Sequence, residues 1–326
     1  MLIDRFGRIH DYLRISITEK CNLSCVYCVP DEGIGLKKNT IQMTADEIAT
    51  IAQVFIGLGV KKIRLTGGEP LFRKDFSEIA RKLSGFPVSL SVTTNGVILD
   101  KYLTILKESN FNSLNISLDT LEEQKFNVLT KRNEFQKVLN NTFLALNMGF
   151  KVKINVVAMK GYIESEILNF VSLTEKYPLQ LRFIEMMPFD GNDWKKEKVI
   201  TEAEMLKIIE NEKKIIKLQG GKNETDKMFK VEKSEGSFGF ISTMSDHFCS
   251  TCNRLRVTAD GKIKNCLFGK DELDLLTSLR KGEPITEIIK KSLFLKHEKL
   301  GGQLDEDFQK LNHHLLKNRS MIAIGG

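Results

Sequence analysis

The 326-residue sequence predicts an α/β protein: six strand–helix repeats that fall short of a closed eight-stranded barrel, followed by an α+β extension. Three observations carry that reading. Strand-like runs at 13–18, 62–66, 88–93, 113–118, 151–157 and 180–186 are mostly separated by helical runs long enough to cross back over a sheet, which imposes parallel pairing and right-handed connections. Polar residues and cysteines gather just after those runs, at the strand ends that carry active sites in α/β folds. Past Met187 the alternation stops, so residues 1–188 form the repeat domain and 189–326 a C-terminal region. An open doubly wound sheet satisfies the same pattern, and at this level both architectures stand.

The first strand leads into Cys21-Asn-Leu-Ser-Cys25-Val-Tyr27-Cys28. Thiols spaced C-x3-C-x2-C can close on one metal centre and leave it a ligand short. A zinc knuckle, half of a disulfide pattern, or small buried hydrophobes are the alternatives. Zinc lacks a fourth ligand beyond His10. Disulfides are disfavoured because the chain opens without a signal peptide and reads as cytoplasmic. After a polar stretch at 31–40, Thr44 and Glu47 form a capping box, and Ile48, Ile51, Ala52 and Phe55 follow at helical spacing, so a helix covers 44–57.

The second strand enters Gly67-Gly68-Glu69-Pro70. A helix at 75–83 precedes the third strand, which ends in Thr94-Asn95-Gly96; a helix at 100–108 precedes the fourth, which ends at Asp119. Helices at 134–148 and 164–176 flank the fifth strand, and the sixth ends at Met187-Pro188. Residues 189–198 are irregular and hold the single tryptophan, Trp194. Thr201 and Glu204 make a second capping box, opening a helix to about 213. Residues 220–227 read as a loop, 228–231 and 238–243 as strands, and 255–258 with 262–266 as a hairpin about Asp260-Gly261. Helices from 273 and 284 follow, then a charged C-terminal helix and Gly325-Gly326.

The 49 basic and 42 acidic side chains give +7, a solvated basic surface rather than a nucleic-acid footprint, since aromatic residues are 8% and sparsely interleaved with the basic ones. No apolar run approaches the roughly 18 residues of a membrane span, so the chain is expected to be soluble, cytoplasmic and free of membrane and nucleic-acid partners. All six cysteines fall in two groups of three, a distribution typical of metal ligands. The second group, Cys249-x2-Cys252-x13-Cys266, has His247 beside it, and spacing alone admits a Cys3His zinc site. A zinc protein binding nucleic acid is the rival of another class.

With Tyr27 before its last cysteine, the first group resembles the cluster loop of the radical S-adenosylmethionine (SAM) enzymes. The resemblance implies a four-iron cluster on Cys21, Cys25 and Cys28, whose open iron chelates SAM, and release of a 5′-deoxyadenosyl radical after one electron from an external donor. The stretch from His247 through Asn253-Arg254-Leu255-Arg256 to Phe268 resembles the GTP 3′,8-cyclase family of molybdenum cofactor biosynthesis, a likeness running from Asp4-Arg5-Phe6-Gly7-Arg8 to Gly325-Gly326. Peptide-modifying maturases share both cysteine groups, but the Asn-Arg-Leu-Arg run and terminal Gly-Gly argue against them.

That resemblance implies a partial (β/α)6 radical SAM barrel and a second four-iron cluster on Cys249, Cys252 and Cys266, whose open iron meets guanine. It implies SAM contacts at Tyr27, Gly68, Ser117 and Met187, and GTP contacts at Arg14, Arg64, Thr93, Lys153, Arg254 and Arg256. Arg254 and Arg256, of one strand parity, are also the catalytic candidates. Convergent guanidinium groups suit a triphosphate, and no Walker glycine loop is present to hold one by backbone. The implied product, 3′,8-cyclo-7,8-dihydro-GTP, is expected to pass to the next enzyme of the pathway, and the chain to act as a monomer or homodimer. Val29, where the family often has methionine, is a small departure.

Overall fold

The computed structural model describes residues 1–28, 42–221, 226–304, 307–312 and 315–326. Val29 and the polar stretch at 31–40 lie outside them. The repeat region runs β1 (Tyr12–Ser16), α1 (Ala45–Gly57), β2 (Lys62–Thr66), α2 (Phe76–Ser84), β3 (Ser89–Thr94), α3 (Leu103–Glu108), β4 (Phe111–Ser117), α4 (Glu123–Thr130), α5 (Phe135–Asn147), β5 (Lys151–Ala158), α6 (Ile167–Lys176) and β6 (Gln180–Glu185). The remainder is α7 (Glu202–Glu210), β7 (Ile215–Lys217), β8 (Lys227–Val231), β9 (Ser237–Ile241), β10 (Arg254–Val257), β11 (Lys262–Lys264), β12 (Leu273–Asp274), α8 (Leu276–Arg280), α9 (Thr286–Phe294) and α10 (Met321–Ile324).

Both capping boxes form, Thr44 with Glu47 opening α1 and Thr201 with Glu204 opening α7. Trp194 is buried, its Nε1 donating to the Met186 carbonyl at 2.9 Å. Three local expectations are corrected, and two elements are added. The run at 100–108 begins as a 3-10 turn at Leu99–Lys101, and α4 and β7 were not anticipated. The helix expected from 273 is a short strand followed by α8. The charged C-terminal helix falls partly outside the described residues, which hold 3-10 turns at Leu300–Gly302 and Phe308–Lys310 in this region; at the first, Gly301 and Gly302 take φ of 66° and 68°, outside the right-handed helical region.

All twelve strands among the described residues join one sheet, in the order β12-β11-β10-β1-β2-β3-β4-β5-β6-β9-β8-β7. From β10 to β9 every pair is parallel; β11 and β12 extend one edge and β8 and β7 the other by antiparallel pairing. Neighbouring strands lie about 4.8 Å apart, so on a flat sheet Arg14 of β1 and Arg182 of β6, five strands apart, would be separated by about 24 Å. Both instead line one cavity, together with Arg254 of β10. The sheet therefore curls into a gaping partial barrel, and the C-terminal strands widen both of its edges.

A parallel sheet buried on both faces reads as continuous apolar runs. These strands alternate instead. Leu13 and Ile15, Ile63 and Leu65, Leu114 and Ile116, Val152, Ile154 and Val156, and Leu181 and Phe183 are at most 2% exposed and pack in the apolar core. The positions between them, Arg14, Arg64, Thr93, Ser117, Asn155 and Arg182, face the cavity. The lumen is polar where an ordinary barrel would be filled with branched aliphatics. Among the described residues no helix is long and apolar enough to cross a membrane.

Candidate active site

The loop after β1 carries the first three thiols, and main-chain bonds fix its shape. Ser24 and Val26 donate to the carbonyls of Thr130 and Leu129 at the end of α4, and Cys28 N–H donates to Cys25 O, each at 3.0 Å. The Gly67–Gly68 turn packs directly beneath. A Cβ on Gly68 would lie 2.6 Å from the Lys20 carbonyl oxygen and 2.8 Å from that of Glu19, so only glycine fits. Glu69 ties this turn to β3: its carboxylate accepts from Thr94 Oγ1 at 2.8 Å, Leu71 N–H at 3.0 Å and Asn95 N–H at 2.6 Å. The Asn95 amide then donates to Asn22 Oδ1 at 2.7 Å and towards Cys21 Sγ at 3.6 Å.

Burial pushes the Cys21 thiol up to about 11 and the Cys28 thiol to about 12; Glu69 adds to the first effect, Cys21 and Asp119 to the second. Cys25 is raised well above the usual thiol range by burial, Asp119 and the other two thiols. Asp119, itself raised to about 6 by burial, accepts from Tyr27 Oη and from Val157 N–H. Three free, half-buried thiols whose thiolate forms would repel one another keep their protons until a cationic centre replaces them, which is the chemistry of a metal-cluster donor set.

Gly68, Ser117, Tyr27 and Met187 border the same cavity of about 220 Å³, which runs from the first cysteine group towards Arg254 and Arg256. Arg14, Arg64, Thr93, Arg254 and Arg256 line it; Lys153 does not, although the charges of Arg182 and Arg64 on the wall act on it. Burial holds Arg14 and Arg64 down to about 10. Lys153 falls to about 8, through burial and then the Arg182 guanidinium. Buried polar atoms of this wall lack a hydrogen-bond partner: Arg14 Nε, Arg182 Nε, Thr93 Oγ1 and Asn155 Oδ1. Crowded cations and orphaned polar atoms are paired by a polyanionic ligand. Below them Tyr12 receives cation–π contacts from Arg14, Lys62 and Arg64, at 5.4, 4.8 and 5.4 Å. The Arg256 guanidinium donates to the Gly325 carbonyl at 2.8 Å, bringing the terminal Gly326 to the cavity wall.

The second thiol group sits at an adjoining pocket where β10 and β11 meet the C-terminal segment, lined by Cys249, Cys252, Cys266, Arg254, Arg256 and Lys296. Arg8, held by Asp4 at 2.6 Å, donates to the carbonyls of Cys249 at 2.8 Å, Glu298 at 2.6 Å and His297 at 3.0 Å, so the N-terminal segment pins this loop. Burial would raise the Cys252 thiol, yet Lys296 and Arg254 bring it down to about 6. His247 borders the pocket with Nδ1 buried and unbonded. Among the described residues no three Cys, His, Asp or Glu side chains converge on a single-ion position. A four-iron cluster spreads its thiolates over separate irons, so both triads suit a cluster better than one zinc ion.

Sequence reasoning set Asn95 and Asp119 at the strand ends expected to carry the site but gave them no role, and it missed Arg182 and Asn155. Arg182 had a signal: a charged residue inside the apolar run Leu181-Arg182-Phe183-Ile184, at the same x-Arg-x phase as Arg14 in β1 and Arg64 in β2.

Residues 15–174 match the radical SAM superfamily and residues 179–301 match Molybdenum Cofactor Synthesis C, which defines the class: a radical SAM protein with a molybdenum-cofactor-synthesis C-terminal region. The chain is 45% identical over 331 residues to mouse "Molybdenum cofactor biosynthesis protein 1", covering 99% of this chain and 51% of the relative. It is 45% identical to "GTP 3',8-cyclase, mitochondrial" of Arabidopsis thaliana, covering 100% of this chain and 84% of the relative, and 40% identical to "GTP 3',8-cyclase" of Clostridium perfringens, with 99% of each chain covered. The chain belongs to the GTP 3′,8-cyclase family, and it spans about half the length of its mouse, bovine and human relatives. The fold is shared with Streptococcus suis SuiB solved with S-adenosylmethionine, at TM-score 0.63 and 16% identity over 86% of this chain and 68% of that one.

Proposed function

We propose that the chain is a radical SAM GTP 3′,8-cyclase, converting GTP to (8S)-3′,8-cyclo-7,8-dihydroguanosine 5′-triphosphate in the first step of molybdenum cofactor biosynthesis. The observation that carries this reading is one cavity reaching from one cysteine triad to the edge of the other, walled between them by buried arginines and polar atoms without partners.

In this reading Cys21, Cys25 and Cys28 hold one four-iron cluster and Cys249, Cys252 and Cys266 a second. With SAM bound, the first supplies the 5′-deoxyadenosyl radical that takes hydrogen from the ribose. Gly68, Ser117, Met187 and Tyr27 seat SAM; Tyr27 does so while its own hydroxyl stays tied to Asp119. Arg14, Arg64, Thr93, Arg254 and Arg256 bind GTP, Arg182 joins them, and Lys153 adds its charge from outside the wall. Their buried positive field replaces the water that a triphosphate would otherwise keep, and the curled sheet excludes solvent from the radical's path. Residues 1–188 thus serve SAM and 189–326 the second cluster, with substrate between. Arg254 and Arg256, beside the second triad, hold the base and ribose in register for ring closure. An external one-electron carrier, a cytoplasmic setting and hand-over of the dihydro product to the next pathway enzyme belong to the same proposal.

The test is anaerobic reconstitution with iron and sulfide, then dithionite, SAM and GTP, with mass spectrometry of the products. About eight irons per chain and GTP-dependent cyclised product are expected. About four irons, with 5′-deoxyadenosine and no cyclised nucleotide, would refute the cyclase reading.

A further inference from the structure

Lys296 follows the last turn of α9 and is 2% exposed. It lines the pocket of the second cysteine triad. Its ammonium donates to the backbone carbonyls of Arg254, at 3.3 Å, and of Asn265, so it bridges the start of β10 and the end of β11 from beneath. The ion pairs found among the described residues give it no carboxylate. Its charged neighbours at the pocket are Arg254 and Arg256, cations like itself, and Arg8 lies behind the Cys249 carbonyl. Burying an ammonium without a counter-charge is costly, and backbone carbonyls solvate it only in part.

Outside the pocket, His10 feels Lys296 and is tied to the Asp4 carboxylate, which Arg8 already pairs; within the pocket the negative charge is that of the three thiolates. Lys296 is the leading cation acting on Cys252. A four-iron cluster on three thiolates is a net anion and grows more negative when it takes an electron, and local charge is one of the levers that set cluster potentials. The first triad is built the other way. Its ionisable neighbours are carboxylates, Asp119 through Tyr27 and Glu69 through Asn95. The chain thus sets a buried cation against one cysteine group and buried carboxylates against the other.

We propose that Lys296 is the built-in counter-cation of the redox group held by Cys249, Cys252 and Cys266, and that it raises that group's reduction potential. It lets the external one-electron donor load that group more easily and makes the group a correspondingly weaker reductant, so that the electron is held beside the substrate-binding arginines. The inference rests on reading the second triad as a cluster site.

The test compares reconstituted full-length wild type, Lys296→Gln and Lys296→Arg in an anaerobic potentiometric titration followed by electron paramagnetic resonance. Added SAM perturbs the first cluster's signal and so tells the two apart. Glutamine keeps a donor for the carbonyls and removes the charge. Lys296→Gln is expected to move the second cluster's midpoint to more negative potential, leaving the first unchanged, while Lys296→Arg stays close to wild type. Coincident midpoints for Lys296→Gln and wild type overturn the proposal, because a lysine that only clamped Arg254 and Asn265 would change iron retention or melting temperature and not the potential. If Lys296→Gln fails to keep the second cluster, Lys296→Arg must retain it; loss in both overturns the counter-cation role. About four irons in wild type would remove the cluster reading itself, a separate failure.

Discussion

Replacing Arg182 by methionine removes a guanidinium that no motif marked and keeps most of its bulk. Arg182 Nη2 donates to Asn115 Oδ1 at 2.5 Å, Nη1 stands 4.0 Å from Asp226 Oδ2, and Nε faces the cavity with no partner. In the nucleotide-free protein it is held against like charges: after burial, it is the leading influence lowering Lys153, and it also lowers Arg64. A phosphate beside Nε turns that repulsion into attraction. One hydrogen bond between charged groups contributes about 1.5–3 kcal/mol, and about 1.4 kcal/mol is tenfold in affinity, so Arg182→Met should weaken GTP binding by roughly 10- to 150-fold. Anaerobic titration calorimetry of the reconstituted protein with GTP and with guanosine reads this directly. The loss should be confined to GTP, because guanosine carries no phosphate. GTP affinity within about twofold of wild type, or an equal loss for guanosine, would refute phosphate pairing and leave Arg182 as a strut for Asn115.

Glu69 should make the metal-free protein less stable as pH rises. Burial lifts its carboxyl from 4.5 to about 7, so between those values the folded state binds more protons than the unfolded one and stability falls by up to about 1.4 kcal/mol per pH unit. Thermal melts from pH 5 to 8 should show that slope in wild type and a flatter, lower profile in Glu69→Gln; parallel profiles would show that Glu69 titrates normally. Gly68→Ala forces a Cβ to 2.6 Å from the Lys20 carbonyl, a clash of about 1–3 kcal/mol that displaces the first cysteine loop. Iron analysis should find the first cluster lost and the second kept, and retention of both would mean the turn yields without cost. Arg8→Met strips one carbonyl bond from the second cysteine loop, at Cys249, and two from His297 and Glu298, while Asp4 loses its ion pair but keeps His10 and two backbone N–H donors, a cost of about 1–3 kcal/mol. The second cluster should then load poorly while SAM cleavage continues, and an undiminished iron count would show that the loop holds itself.

The features visible in the chain were those whose chemistry is complete within a few residues. Both capping boxes and the Gly67–Gly68 turn formed as expected, since each depends on neighbours in sequence. Lys153 matched a substrate-contacting position, yet β5 sets it outside the cavity wall, and Arg182, one strand over, reaches the wall instead. Strand alternation marks which residues face the lumen; it does not fix how far along the barrel each one sits.

Residue order therefore fixed the ingredients: two cysteine triads, strands with one apolar and one polar face, and helices that start where their caps stand. Folding decided what those ingredients share. Because β10 adds in parallel beside β1, Arg14 pairs in register with Arg256 on one side and Arg64 on the other, and the second triad comes to the mouth of the cavity that holds the first. Strand neighbours and curl follow from burying the helix-facing apolar layer over the whole chain, so the encounter of distant cysteines, Lys296 and the arginines is a product of packing and not of spacing.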